Sequence, residues 1–320
     1  DRNNYEFVDA SESGIVMAAR GSRPEEFDIS QDGGVSWTSH QFPWYASIEN
    51  TALLKTSILG DIIYISATGR KTYRSADYGE TWQELLINDL TFNSAVLEWN
   101  NLHVVHTDDK IFTSADEGMT WSLHADFTLG TLDRLLTVDN ILFGFVRMAQ
   151  YEPYQRAFVS NDGIQWRWAH DGLPPWMGYY YNPLNGHNLS IETDFFSYGG
   201  NYYLHLEFSG IFATTDTFNV WFPLELIQYN NYELADSIFF KGRDGGLRKS
   251  HAPSLYGELV SGNVFLDRND NGLQESEEQG LKNIHVSLID PESIYPYYGT
   301  MTEDQGIYKL GMNLDSEDTL

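Results

Sequence analysis

Six oxygen-bearing positions toward the C-terminal end of the chain have a spacing that fits metal chemistry. Counting Asp267 as the first, Asn269 is third, Asn271 fifth, Gly272 sixth, Leu273 seventh, Glu275 ninth and Glu278 twelfth. Alternating carboxylate and amide oxygens wrap a hard cation, glycine at the sixth position permits the sharp turn, the seventh residue lends its carbonyl, and a twelfth-position glutamate closes the shell with two oxygens. The spacing therefore predicts a Ca2+ loop with Asp267, Asn269, Asn271, Leu273, Glu275 and Glu278 as ligands.

A second set of acids recurs through the rest of the chain. "SADYGETW" places Asp77 before Gly79, Thr81 and Trp82; "SQDGGVSW" does the same with Asp32 and Trp37, and "SADEGMTW" with Asp116 and Trp121. Two degraded copies follow: "SNDGIQW", one residue short, with Asp162 and Trp166, and "TTDTFNVW", with Asp216 and Trp221 and Phe218 in the glycine position. The intervals between these aspartates run from 39 to 54 residues, the period of an array of supersecondary units. A residue repeated in five units is expected to fasten a turn rather than to catalyse: a short carboxylate accepts turn amides, glycine supplies positive φ, and a Ser or Thr hydroxyl adds a further tie. Each Trp is expected to anchor its unit by burying a large ring while its N–H finds a partner.

The elements that must hold these turns can be read between them. "ALLKTSILGDIIYISATGRKTYRS" gives three strand-like runs parted by Gly-Asp and Thr-Gly turns, and "QELLI" after Trp82 gives a fourth; "SAVLEW", "LHVVHT", "IFTS" and "SLHADF" repeat the pattern. Four strands per repeat is a propeller blade. Later units read "RLLTVDNILFGFVRM" with "RAFVS", then "FFSYGGNYYLHLEF" with "IFATT", and a sixth, "ADSIFFKGRDGGLRKS", keeps the second and third strands without the Asp and Trp. The expected fold is all-β: a six-bladed propeller over residues 1–256, with room for a seventh blade upstream of Asp1, followed by a small β-sandwich over 257–320.

The Trp-turn units resemble the Asp-box, or bacterial neuraminidase repeat, of sialidases, sortilin-type ectodomains and other propellers. In that family the box joins the third and fourth strands of a blade. Sialidases also carry an early Arg-x-Pro, an arginine cluster and a Tyr–Glu nucleophile pair; here Arg23 is followed directly by Pro24. The departure counts against sialidase activity. "GNVFLDRNDNGLQESEEQGLKNIHVSLID" with "TMTEDQGIYKL" resembles the B-type repeat of serine-aspartate-repeat surface adhesins, relatives of the collagen-adhesin B domain. That resemblance implies a calcium-stiffened, Ig-like or prealbumin-like sandwich used as a bacterial stalk or spacer, here cut short at "NLDSEDTL".

Charge and composition bound the partners. With 46 acidic against 19 basic residues and a formal charge of −27, the chain does not offer the Lys/Arg clusters that nucleic acid or an anionic membrane demands. Cysteine is absent, so stiffness must come from packing or metal. No 18-residue apolar run predicts a membrane span. The histidines give no metal pattern: His103 and His106 are three apart on a strand, on opposite faces, and His205 has no spaced partner. One stretch offers recognition chemistry, "GLPPWMGYYYNPLNGHN", whose Trp176, Tyr179, Tyr180 and Tyr181 form a candidate ligand loop for a sugar ring or a protein; the alternative is that it folds back over a blade edge. Together these features point to a non-catalytic adhesive or structural segment of an extracellular bacterial surface protein, partnered by calcium, by glycans or other surface proteins, or by further domains of a longer chain. The alternative is a secreted glycan-active hydrolase using a pair of carboxylates that sequence alone does not single out.

Overall fold

A computed structural model describes residues 5–11, 13–20, 26–42, 54–67, 72–85, 95–148, 155–174, 179–182, 187–190, 193–198, 200–206, 210–215, 217–225, 231–234, 238–241, 247–250, 258–289 and 296–312. Among the described residues there is no α-helix, and no helix is long and apolar enough to cross a membrane. The chain divides into two compact units, residues 1–128 with 132–140, and residues 129–131 with 141–320.

The first unit opens with β1 (Tyr5–Ala10), β2 (Val16–Arg20), β3 (Glu26–Ser30) and β4 (Thr38–Gln41), hydrogen-bonded in that order as an antiparallel meander. The next meander is β5 (Leu54–Leu59), β6 (Ile62–Ala67), β7 (Thr72–Ser75) and β8 (Gln83–Glu84); the third is β9 (Leu97–Trp99), β10 (Leu102–His106), β11 (Lys110–Ser114) and β12 (Ser122–Asp126). Strand β13 (Thr131–Val138) completes the unit. Each four-stranded meander is the blade of a propeller, and in the second and third the strands follow the apolar runs read from the sequence.

Strand β6 shows why its sequence, Ile-Ile-Tyr-Ile, is apolar at every position. Alternate residues of a strand point to opposite faces. Ile63 and Ile65 join Met17, Phe27 and Ile29 of the first blade in one core, whereas Ile62 and Tyr64 join Val105 and Phe112 of the third blade in the next. The middle blade is thus buried on both faces, and its strand reads as a continuous apolar run. Between β9 and β10 the two-residue turn falls on Asn100 and Asn101, with φ of 53° and 59°, a left-handed pair that asparagine tolerates.

The second unit contains β14 (Ile141–Arg147), β15 (Arg156–Ser160) and β16 (Arg167–Trp168), then a hairpin of β17 (Tyr179–Asn182) and β18 (His187–Ser190). A further complete blade follows: β19 (Thr193–Tyr198), β20 (Asn201–Leu206), β21 (Gly210–Thr214) and β22 (Phe222–Glu225). Strands β23 (Asn231–Leu234), β24 (Ile238–Lys241) and β25 (Leu247–Ser250) form a three-stranded sheet where the sequence predicts the eroded sixth unit. At the C-terminal end, β26 (Glu258–Asn263), β27 (His285–Ile289), β28 (Pro296–Met301) and β29 (Ile307–Met312) make two antiparallel pairs, β26 with β29 and β27 with β28. The calcium-spaced loop lies between β26 and β27. The stretch expected to be an aromatic loop differs: Tyr179, Tyr180 and Tyr181 lie on β17, paired with Ser190, Leu189 and Asn188. Three consecutive tyrosines, which favour extended backbone, account for the strand. Trp176 and Asp216 lie outside the described residues.

Candidate functional site

The Asp turns share one set of contacts. Asp32 Oδ1 accepts hydrogen bonds from the Ser30 hydroxyl at 2.8 Å and from the Val35 and Ser36 amides at 3.0 and 2.8 Å, while Oδ2 accepts the Ser36 hydroxyl at 2.6 Å. Asp77 receives Ser75, the Thr81 amide and the Thr81 hydroxyl; Asp116 receives Ser114 and the same two groups of Thr120. In the shortened copy Asp162 takes Ser160 and the amides of Ile164 and Gln165. Hydrogen bonding to the charged form holds the acids low. Asp32 and Asp116 fall to about 2, chiefly through the Ser36 and Thr120 hydroxyls. For Asp77 the largest influence, partial burial, pushes upward, but Thr81 and Ser75 prevail and its value is lowered.

Each Trp closes its own turn. The indole N–H of Trp37, Trp82, Trp121 and Trp166 donates to the carbonyl of Gly34, Gly79, Gly118 and Gly163, at 2.9 to 3.2 Å. Trp221, from the copy that lacks the glycine, behaves differently: it is fully buried, donates to Ala169 O at 2.8 Å, and packs among Phe143, Phe195 and Phe218.

The turns also grip the neighbouring blade. Tyr64 Oη donates to Glu117 O at 2.7 Å and lies 2.6 Å from His103 Nδ1, and Arg74 Nε donates to the same carbonyl at 2.6 Å. Glu117 and Gly118 have φ of 56° and 80°, and a Cβ on Gly118 would stand 2.2 Å from Tyr64 Oη. Within the second unit, Arg167 donates to Thr217 O and lies over the Phe218 ring. His103 and His106 are not brought together at a metal: His106 Nδ1 lies 3.1 Å from Thr107 O, and burial lowers His103.

The calcium-spaced loop is laid out by backbone donors. Asp267 Oδ1 accepts the amides of Asn269 and Asp270 at 3.2 and 2.7 Å, and Oδ2 accepts Gly272 N–H at 2.8 Å. Asn269 Oδ1 and Asn271 Oδ1 accept the amides of Asn271 and Leu273. Glu278, buried beneath an exposed loop, accepts the amides of Arg268 and Glu275 on its two oxygens at 2.8 and 3.2 Å. The Gly272 amide, above all, lowers Asp267. Asn271 Nδ2 and Asn269 Nδ2 donate to Glu275, at 2.6 and 3.3 Å, and the Asn271 bond is the main cause that lowers Glu275. Gly272 has φ of 73°, the left-handed bend required at the sixth position. The donors are all hard oxygens, and a carboxylate or carbonyl oxygen that accepts one N–H keeps a second lone pair, so the residues fit a calcium ion. Among the described residues no three Asp, Glu, His or Cys side chains already stand in metal-holding geometry.

A charged cluster that the sequence did not reveal lies elsewhere in the second unit. Asp171, 1% exposed, accepts Trp168 Nε1 at 2.7 Å and Lys309 Nζ at 3.1 Å; Lys309 also faces Glu303 at 3.6 Å. Asp171 and Glu303 are far apart in sequence, and no local spacing links them.

No protein-family model matches the chain, and no curated protein matches it. Among solved structures, YCF48 from Cyanidioschyzon merolae is similar with 14% identity and a TM-score of 0.48, over 78% of this chain and 84% of that one. YCF48 bound to D1 peptide gives 13% and 0.44 over 79% and 94%. A nidogen/laminin complex gives 13% and 0.44 over 69% and 79%.

Proposed function

We propose that this chain is a non-catalytic segment of a secreted or cell-surface bacterial protein, in which a propeller used for adhesion or extracellular assembly is joined to a calcium-stiffened module. The observation that carries the reading is the use made of the repeated acids. In the four boxes whose aspartate is described, the carboxylate accepts three or four hydrogen bonds from its own turn. Such groups fasten blades and leave the surface between them to recognise glycans, other surface proteins or neighbouring domains of the same chain.

Calcium supplies charge balance to the second module. Asp267, Glu275 and Glu278 bring three carboxylates into one twelve-residue loop with Asn269 and Asn271, and Leu273 adds its carbonyl. The ion would offset their repulsion and fix the geometry of the loop. Stabilisation by a ligand of the folded state grows as RT ln(1 + [L]/Kd), about 2.7 kcal/mol at a hundredfold excess over Kd. Calorimetric unfolding of the whole chain in millimolar calcium and in chelator tests this. A calcium-dependent rise in the melting temperature that Asp267→Ala and Glu278→Ala each remove is expected; identical traces with and without calcium would refute the calcium role.

A further inference from the structure

The segment following β16 and the C-terminal strands meet through charged groups as well as packing. Gly172 N–H donates to Thr300 Oγ1 at 3.3 Å, and the Asp171 carbonyl accepts Trp221 N–H at 2.8 Å. Gly311 on β29 sits so close that a Cβ there would lie 2.5 Å from Trp221 O. Over this contact one ammonium, Lys309, stands between two carboxyl groups, Asp171 with 2% of its side chain exposed and Glu303 with 30%. We propose that Asp171, Glu303 and Lys309 form a proton-gated latch, which holds β26–β29 on the segment 169–173 while Glu303 is protonated and loosens when Glu303 ionises.

The charge balance explains the gate. With Glu303 neutral, its hydroxyl donates to Asp171 and Lys309 neutralises the Asp171 carboxylate. Ionisation leaves two carboxylates against one ammonium, and Asp171 has no solvent to screen it. Burial first, then hydrogen bonding to Asp171 and its charge, raise Glu303 to about 7, against the opposing pull of Lys309. The folded value lies above the ordinary 4.5. The stabilisation is therefore fully present below the ordinary value, declines as pH rises, and is gone once pH has passed through about 7. Among the described side chains, His170, Arg156 and His285 also lie at this junction. Burial, with Arg156 and His285 nearby, holds the fully buried His170 well below its usual range, and burial also lowers His285. His170 stays neutral and Arg156 stays charged while Glu303 titrates.

The calcium-spaced loop reaches the latch through backbone. It returns through Gly280, where a Cβ would stand 1.8 Å from Gln305 O, and Gly306 N–H donates to Glu303 O. The test is therefore made on the whole chain with calcium in constant excess. Hydrogen exchange, corrected for intrinsic rates, should show protection of residues 169–173 and 300–311 falling about tenfold between pH 6 and pH 8. Glu303→Gln should keep the protection at pH 8 and flatten the profile. Constant protection in the native chain, or the same pH profile in Glu303→Gln, would overturn the latch. If that variant does not fold, the carboxyl carbon resonance of Glu303 in the native chain decides: a midpoint near 7 supports the latch, and one near 4.5 overturns it.

Discussion

The carboxylate of Asp116 meets three donors within its own turn, and this accounts for both its acidity and its place in the repeat. Its folded value is about 2 against an ordinary 3.8, so the stability it contributes is fully present above the ordinary value and is lost as pH falls through about 2. Asp116→Asn keeps one acceptor and loses the charge. Urea unfolding at a series of pH values should show the largest deficit of this variant above pH 4, with the two chains converging toward pH 2; a constant deficit would mean the carboxylate's charge is immaterial. Gly118 carries a separate constraint. Its φ of 80° and the 2.2 Å approach of Tyr64 Oη leave no room for a methyl group. Left-handed backbone alone costs a non-glycine residue roughly 1–2 kcal/mol. Gly118→Ala should therefore lower the melting temperature by several degrees in a thermal scan, and an unchanged value would show that the turn does not grip Tyr64.

At the scale of elements, the meander and its turn were largely legible in the sequence, because each strand carries its own signal. The third blade shows it: Asn100-Asn101, Asp108-Asp109 and the Trp-turn mark the ends of β9 to β12. Period-2 burial explains the apolar run of β6 in the same way. Legibility fades where tertiary contacts override local pattern. Tyr179 to Tyr181 read as loop because prolines and glycines flank them, yet cross-strand pairing with Asn188 to Ser190 makes them a strand. Trp221 reads as one more box anchor, but with Phe218 in the glycine position its N–H turns to Ala169 and its ring enters the aromatic core. Truncating so large and fully buried a ring costs about 3–5 kcal/mol. Trp221→Ala should thus destabilise the chain more in urea unfolding than Trp37→Ala, since Trp37 is 43% exposed. Equal losses would show that both serve the same role.

Across the whole molecule two kinds of acid recur, the box aspartates and the acids spaced along residues 267–278. Box carboxylates accept three or four hydrogen bonds from their own turns, whereas Asp267, Glu275 and Glu278 share one twelve-residue loop, the loop proposed above to take calcium. The loop spacing was legible because its oxygen-bearing residues lie within twelve positions of one another along the chain. The Asp171–Glu303–Lys309 cluster was not, since only folding brings its members together. That pair of carboxyl groups does not resemble an open hydrolytic centre: Asp171 is closed off from solvent and tied to Trp168 and Lys309. The central claim, binding or assembly without catalysis, is tested most directly by incubating the chain with a mixed glycan pool in millimolar calcium and resolving bound and cleaved species by mass spectrometry. The account predicts intact glycans, retained or unbound; the appearance of cleavage products in proportion to protein would contradict it.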